Sequence, residues 1–128
     1  MTAHFSLSNK IKVYEDTDTT DNPKKVIANY QIDITKDYTG YAGGDTTKVT
    51  ALAAKVIDLP ASPSSFLYIL TDTQIAVRLN GEEDNNNLVT PSVQGTKDGI
   101  FIKRGNFTSL ILNNATAFDA TVSYFIGS

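Results

Sequence analysis

The sequence contains no cysteine and no tryptophan. Without cysteine the chain can form no disulfide and offers neither a thiolate nucleophile nor a thiolate metal ligand, so its stability has to come from packing and backbone pairing. The single histidine, His4, lies near the start of the chain, where the sequence supplies no orienting group for it. No segment approaches the roughly 20 apolar residues that cross a bilayer. We therefore predict no catalytic residues and no membrane partner.

Charge of either sign is also modest. The 128 residues carry a formal net charge of -3 at pH 7, and neither half of the chain has a basic stripe or an acidic tail. A weakly acidic chain is not attracted to phosphate backbones, so we expect no nucleic-acid partner. The first six residues have neither a cationic start nor an apolar run, so we expect no signal peptide and synthesis in a cytoplasm.

Two segments are rich in oxygen ligands. Residues 15–21 resemble the start of an EF-hand calcium loop, but the positions that need glycine and glutamate hold Asp21 and Ile27. Residues 82–87 (Glu-Glu-Asp-Asn-Asn-Asn) form a second cluster, which is typical of a solvated hairpin tip. The sequence has no nucleophile elbow, zinc-protease motif or phosphate-binding loop. We predict no metal, no cofactor and no enzymatic activity.

What the sequence does contain is uncharged polar residues: sixteen threonines, ten asparagines and nine serines. Threonine favours strands because its Cβ is branched, whereas asparagine and serine favour turns because their side chains bond to nearby backbone. Short alternating segments occur at regular spacing between these turn residues. Together they predict an all-β fold: a single antiparallel β-sandwich or jelly-roll-like barrel of about eight strands.

Apolar alternation defines the predicted strands. Lys25–Thr35 and Gln74–Asn80 alternate as half-buried strands do, and Ser65–Thr71 is an apolar run typical of a strand buried on both faces. Short strands are predicted near the N-terminus and in the last third of the chain, at Phe5–Leu7, Ile11–Tyr14, Ile100–Lys103, Ser109–Leu112 and Thr121–Ile126.

Three connections follow from turn chemistry. Asp72 and Thr73 are predicted to close residues 65–80 into a hairpin. Residues 104–106 and 113–116 are predicted turns. Residues 48–59 are interpreted as one strand that ends at Leu59 and Pro60, with one helical turn as the alternative.

The N-terminal segment is predicted to be separate from the domain that follows. Residues 1–14 form an N-terminal arm or edge strand, and residues 15–128 form a single β-sandwich domain. Short apolar strands beside a polar spacer suit an arm that adds a strand to a neighbouring molecule, and we expect a homo-oligomer, either a trimer or a dimer. The predicted interface residues are Phe5, Ile11, Val13, Tyr38 and Tyr41.

An alternative use of the loops is sugar binding. The predicted loop 38–45 is rich in tyrosine and glycine, and glycine lets a backbone approach a ligand closely. Equally, its tyrosines can cap the core or lie in a subunit contact. In the ligand interpretation, aromatic rings form the platform and polar side chains bind the hydroxyl groups; the residues are Tyr38, Tyr41, Asp45, Asn85 and Asn86.

The strand pattern of residues 55–128 contains three short apolar segments: 57–60 (Ile-Asp-Leu-Pro), 66–72 (Phe-Leu-Tyr-Ile-Leu-Thr-Asp) and 75–81 (Ile-Ala-Val-Arg-Leu-Asn-Gly). It continues through 99–102, 108–114 and 120–124. This pattern resembles that of small virion proteins of tailed bacteriophages. The resemblance implies a capsid decoration (cement) or head–tail accessory protein, an antiparallel sandwich that oligomerises on the particle surface.

Three functions are consistent with these observations. The leading hypothesis is a non-enzymatic virion structural protein, made in the host cytoplasm, that decorates or cements a bacteriophage capsid, with the major capsid protein or other virion proteins as partners. The alternative is a carbohydrate- or receptor-binding β-sandwich module of a phage particle. The second alternative is a tail or connector adaptor protein.

Overall fold

The computed structural model describes residues 3–15 and 25–128, and the regular structure of these residues consists of β-strands alone. The chain divides into two compact units, Thr2–Tyr38 and Thr39–Ser128. In chain order the strands are β1 (Ala3–Glu15), β2 (Lys25–Tyr38), β3 (Tyr41–Val49), β4 (Ala53–Ile57), β5 (Ser64–Thr71), β6 (Ile75–Leu79), β7 (Leu88–Val89), β8 (Gly99–Phe107), β9 (Leu110–Asn114) and β10 (Ala120–Gly127).

The first unit is a two-stranded antiparallel ribbon of β1 and β2. Its register pairs Ala3 with Tyr38 and Leu7 with Ile34, and it continues unbroken until a shift after Val13. Alternate residues of a strand share a face, and burial follows this rule: Leu7 is half-buried, whereas the serines on either side of it are exposed. The ribbon therefore has two chemically different faces.

The predicted strand over Lys25–Thr35 is present, but among the described residues its hydrogen-bonded neighbour is β1. Sequence analysis assigned that strand to the sandwich and ended the arm at residue 14, whereas the first compact unit extends to Tyr38. The physical reason is that an unpaired strand leaves its backbone groups without partners, and the ladder between β1 and β2 satisfies them.

The second unit is a sandwich of two four-stranded antiparallel sheets. The strand order is β3-β10-β5-β8 in the first sheet and β4-β9-β6-β7 in the second. The first of these eight strands therefore pairs with the last, the second with the seventh, the third with the sixth and the fourth with the fifth. This is the strand order of an eight-stranded, two-sheet jelly roll. The predicted all-β antiparallel sandwich is confirmed; its strand order is that of a jelly roll, and its two sheets are not closed into a barrel.

The core lies between the two sheets, and every strand of the sandwich contributes to it. The strand predicted to be buried on both faces, β5, has both Phe66 and Leu67 buried. In β6 the predicted inward residues Ile75, Val77 and Leu79 are buried as expected. The other buried members of the core are Val49, Ile57, Ile69, Val89, Phe107, Leu110, Leu112, Ala120, Val122 and Ile126.

The predicted hairpin over residues 65–80 is wrong, because β5 and β6 belong to different sheets. Both strands carry core residues, which can meet only if the chain crosses from one sheet to the other. A local turn makes that crossing. The Thr71 hydroxyl donates to the carbonyl of Thr73 at 2.7 Å and accepts from the amide of Thr73 at 3.2 Å.

Two further connections differ from prediction. Residues 48–59 form neither one strand nor a helical turn: β3 ends at Val49, and a turn closed by Ala53 N–H on the Thr50 carbonyl (3.2 Å) leads into β4 of the other sheet. Residues 104–106 are not a turn, because β8 runs on to Phe107 with one extra residue opposite β5. A glycine inside a strand typically marks such a bulge, and residue 105 is that glycine.

Candidate functional site

The predicted interface residues of the arm lie on the ribbon. Phe5 is half-buried in β1, and the backbone register places Ile11 opposite Tyr30 and Val13 opposite Ala28. Sequence analysis found the apolar alternation of β1 but missed that β2 is its partner. The matching alternation of the two segments, joined by a polar connection, is the signal that could have revealed the pairing.

Polar cross-strand pairs cover the other face of the ribbon. His4 Nδ1 lies 2.5 Å from Asp37 Oδ1, and the Ser8 hydroxyl donates to Asp33 Oδ1 at 2.7 Å. Gln31 Nε2 donates to the same carboxylate at 3.1 Å. The expectation that His4 has no orienting group is therefore wrong, because Asp37 supplies one across the ribbon. These pairs fix which face of the ribbon is directed towards solvent.

The predicted loop 38–45 is mostly strand. Tyr38 ends β2 and is buried, with Lys36 Nζ 5.4 Å from the centroid of its ring. Tyr41 begins β3, is 41% exposed and stacks on Phe125 of β10, with ring centroids 6.3 Å apart and an interplanar angle of 12°. The two tyrosines thus belong to different compact units.

A glycine bulge follows Tyr41 in β3. Gly43 has φ +111°, and a Cβ at this position would lie 2.1 Å from the carbonyl oxygen of Tyr124. The register of β3 against β10 shifts at this point, opposite Ser123–Phe125. Asp45 lies within the bulge, because Gly44 and Asp45 together stand opposite the single residue Tyr124. Gly43 thus serves the packing of β3 on β10, through a close backbone approach.

Asn85 and Asn86, two polar residues of the predicted ligand platform, lie in the loop between β6 and β7 of the other sheet. Asn85 Oδ1 accepts from Arg78 Nε at 3.2 Å and Nη2 at 2.9 Å, and from Asn113 Nδ2 at 3.2 Å. The amide of Asn86 donates to Asp84 Oδ1 at 3.4 Å. Arg78 and Asn113 belong to β6 and β9 of the second sheet, whereas Tyr41 belongs to the first. The five platform residues are thus spread over the ribbon and both sheets.

Among residues 3–15 and 25–128, no three metal-ligating side chains converge. The oxygen-rich segment 15–21 lies almost wholly outside the described residues. In the second segment, residues 82–87, Asn87 Nδ2 donates to the Val77 carbonyl at 3.3 Å and to Glu82 Oε2 at 3.4 Å. The described part of the chain encloses no ligand-sized pocket. It also has no helix that is long and apolar enough to span a bilayer.

Four connections of the sandwich lie at one end of it, because they follow the odd-numbered strands of an antiparallel arrangement. We call this surface the loop end; it consists of residues 50–52, 72–74, 90–98 and 115–119. The Thr73 hydroxyl donates to the Asp119 carbonyl at 3.3 Å and accepts from Gln94 Nε2 at 2.8 Å. Asp72 Oδ1 accepts from the Thr121 amide at 2.8 Å. Hydrogen bonds therefore tie the loops to one another.

Asn114 organises the last of these loops. Its side chain is fully buried, and Nδ2 donates to the carbonyls of Val49 at 3.1 Å and Phe118 at 2.7 Å. Its Oδ1 accepts from the amide of Thr116 at 3.0 Å and from the hydroxyl of the same residue at 2.7 Å. Sequence analysis read residues 113–116 as a turn, whereas Asn114 still belongs to β9 and the turn follows it.

Two carboxylates of the loop end have lowered pKa values. Hydrogen bonds from the Ser92 hydroxyl (2.5 Å) and amide (2.9 Å) hold the pKa of Asp98 below its ordinary value. The amide of Ala51 (2.9 Å) and then Lys48 (3.0 Å) lower the pKa of Asp119. Both carboxylates are therefore bound in their charged form.

Sequence analysis missed three apolar residues that the loop end exposes. Leu52 is 75% exposed, Val93 65% and Phe118 57%. Leu52 lies in the segment 48–59, which was interpreted as one strand, whereas Val93 and Phe118 lie between predicted elements, so no alternation pointed to them. The available signal was an apolar residue inside a polar turn, as in Asn-Ala-Thr-Ala-Phe-Asp at 114–119.

Comparison of the chain with family models, with curated proteins and with solved structures gave no match. The fold and the surfaces described above are therefore the basis for a functional proposal.

Proposed function

We propose that this protein is a non-enzymatic structural component of a bacteriophage particle, which decorates or cements the capsid through contacts between subunits. The observation that carries the proposal is the β1–β2 ribbon. It is a separate compact unit with one polar face and a second face on which Phe5, Leu7 and Ile34 are half-buried. A function based on protein contacts needs such a surface.

The dimensions of the ribbon suit a docking element. β1 has 13 residues, which at roughly 3.4 Å per residue gives a length of about 44 Å. A two-stranded ribbon is marginally stable by itself in water and is stabilised when its apolar face packs on another surface. The outer edges of β1 and β2 also present backbone groups to which a further strand can add.

The sandwich gives weaker support. Jelly rolls occur in viral capsid proteins and in lectins, but a fold hosts many functions and does not assign one. The resemblance of residues 55–128 to small virion proteins of tailed bacteriophages points in the same direction as the ribbon. The abundance of threonine and asparagine suits a weakly acidic surface that stays soluble at high copy number.

The test begins with the genes that flank this one: a neighbouring major capsid gene supplies the protein from which empty capsids are assembled, and a genome without such a gene would contradict the proposal. We expect the full chain to cosediment with the capsids and to raise their melting temperature. The double variant Leu7→Ser and Ile34→Ser, a cross-strand pair on the apolar face, should lose at least tenfold in affinity. The control Ser6→Thr and Thr35→Ser exchanges the neighbouring pair on the polar face and should bind as the natural protein does.

Other results of the capsid-binding test would contradict the proposal or replace it. Binding of both variants with unchanged affinity would contradict a role of the ribbon, and absence of binding by the natural protein would contradict the capsid proposal. Binding to purified tails or connectors, but not to capsids, would replace it with the adaptor hypothesis. Circular dichroism on both variants establishes that the sandwich is still folded.

A second candidate function is carbohydrate binding by the particle. The observation that favours it is the stacked pair of Tyr41 and Phe125 on the first sheet, with 41% of Tyr41 exposed. Sugars pack their apolar faces on such rings. A glycan array with the full chain tests it: Tyr41→Ala should abolish binding, and Tyr41→Phe should retain it. Equal binding by all three proteins, or by none, would rule this function out.

A further inference from the structure

The inference concerns the loop end of the sandwich, which shares no residue with the ribbon. Leu52, Val93 and Phe118 are exposed apolar side chains on three of its four loops. Single exposed apolar residues are common on protein surfaces and need no explanation. Here, three exposed apolar residues lie on loops that are hydrogen-bonded to one another, and together they form one surface.

Hydrogen bonds establish that the three residues belong to one platform. The amide of Leu52 donates to the Thr116 carbonyl at 3.0 Å, and the amide of Phe118 donates to the Thr116 hydroxyl oxygen at 3.2 Å. The loop that carries Val93 is joined through Gly95, whose amide donates to the Asp72 carbonyl at 2.8 Å. Such cross-links hold the backbone of these loops in place, which lowers the entropy cost of binding.

Leu52 has a conformation that folding alone does not favour. Its φ is +58°, in the left-handed region where glycine and asparagine are preferred and a leucine is strained. Its side chain is nevertheless 75% exposed, so it contributes little to the core. A strained, exposed apolar residue is the kind of outlier that suggests a function.

The charges of the loop end suit contact with a like surface. Lys48 Nζ lies 3.0 Å from Asp119 Oδ2. The amide and the hydroxyl of Ser92 donate hydrogen bonds to the Asp98 carboxylate. The Asp72 carboxylate accepts from the Thr121 amide at 2.8 Å. Hydrogen bonds leave these carboxylates negative, but Lys97 of the same surface is exposed and positive, so a two-fold contact can place Lys97 of one copy against a carboxylate of the other. The surface also lacks the group of basic residues that an anionic membrane attracts.

We propose that the loop end is a self-association surface, through which two copies of this chain pack about a two-fold axis. Leu52, Val93 and Phe118 of one copy lie against the same three residues of the other, as an isologous contact requires. The loop end has about 20 residues, the lower limit of what each side of a standard interface uses. The contact is therefore weak between isolated molecules and strengthened by avidity where many copies share one particle.

The test is sedimentation velocity of the purified full chain over a wide concentration range. We expect reversible dimerisation at high concentration. The triple variant Leu52→Ser, Val93→Ser and Phe118→Ser should raise the dissociation constant at least tenfold. The control Val56→Thr changes a residue that is 69% exposed on β4, outside the loop end, and should dimerise as the natural protein does.

The variant Leu52→Asn distinguishes a role of Leu52 in dimerisation from a role in the stability of the fold. Asparagine tolerates a positive φ, so the thermal midpoint should not fall, while the dissociation constant should rise. A folded Leu52→Asn protein that dimerises normally would overturn the proposal. So would a natural protein that stays monomeric at all concentrations, or one that binds vesicles of phosphatidylcholine and phosphatidylglycerol through these residues without dimerising.

Discussion

The ribbon and the sandwich are built from the same residue types and differ in how many strands surround each apolar residue. In the sandwich, two four-stranded sheets enclose a core in which Leu112 and Val77 have no exposed surface. In the ribbon, two strands pair only with each other among the described residues, and Leu7 is half-buried. The comparison indicates that the sandwich supplies the folding free energy, whereas the apolar residues of the ribbon are available for contacts.

The largest expected effect comes from truncating one leucine in each unit. Leu112→Ala should lower the free energy of unfolding by about 2–5 kcal/mol, because it removes buried methyl groups and leaves a cavity. Leu7→Ala should lower it by less than about 1 kcal/mol, because that side chain is already partly in water. Urea unfolding followed by circular dichroism measures both values.

Equal losses for the two leucines would contradict the comparison. They would mean that the ribbon and the sandwich unfold as one cooperative unit. The slope of the unfolding curve gives an independent check, because it scales with the surface exposed on unfolding and should be the same in both variants.

A smaller effect is expected from two neighbouring glycines of β3. Gly43→Ala should destabilise the sandwich by about 3 kcal/mol, because the added Cβ meets the Tyr124 carbonyl and φ is positive. Gly44→Ala has a similar φ of +100° but nothing within 4 Å of its Cβ, so about 1 kcal/mol is expected. Thermal unfolding of the two variants isolates the cost of the close approach, and similar midpoints would show that the strand can shift.

The fold class and most strands of the sandwich were predictable because period-two alternation is a local signal. It identified Gln74–Asn80 and Ser65–Thr71 correctly, and β5 is buried on both faces as expected, whereas Ala76 of β6, expected on the polar face, is buried too. Alternation does not say which strands pair. The connection at Asp72 and Thr73 therefore looked like a hairpin, although it crosses between the sheets.

The candidate surfaces were less predictable, because they depend on residues that are distant in the sequence. Asn85 was named as a ligand partner, but its oxygen bonds to Arg78 and Asn113. Leu52 and Phe118 were not named at all, since only the strand order brings their loops to one end. Local patterns predict elements, whereas the surfaces that elements form together depend on topology.

Substitution of Asn114 measures how much hydrogen bonds, rather than apolar packing, contribute to the stability of the loop end. Asn114→Ala should lower the free energy of unfolding by about 2 kcal/mol, because it leaves the buried Val49 carbonyl, the partly buried Phe118 carbonyl and the Thr116 amide without their partner. Asn113→Ala, next to it but half-buried and bonded to Asn85, should cost less than about 1 kcal/mol. Urea unfolding of both variants makes the comparison, and equal costs would show that buried water replaces the missing amide.

The smallest expected effect is the part of the pH dependence of stability that comes from two carboxylates of the loop end. Asp98 and Asp119 have folded-state pKa values below the ordinary 3.8, so each contributes stability above that pH. The contribution is lost as the pH falls through the lower folded values. Thermal midpoints from about pH 6 to about pH 2 should therefore decline more steeply in the natural protein than in Asp98→Asn or Asp119→Asn.

Glu83→Gln, in the β6–β7 loop outside the loop end, removes one carboxylate without touching the Ser92 and Ala51 donors. Its profile should follow that of the natural protein, and a matching flattening in this control would show that overall charge, not these hydrogen bonds, sets the acid response.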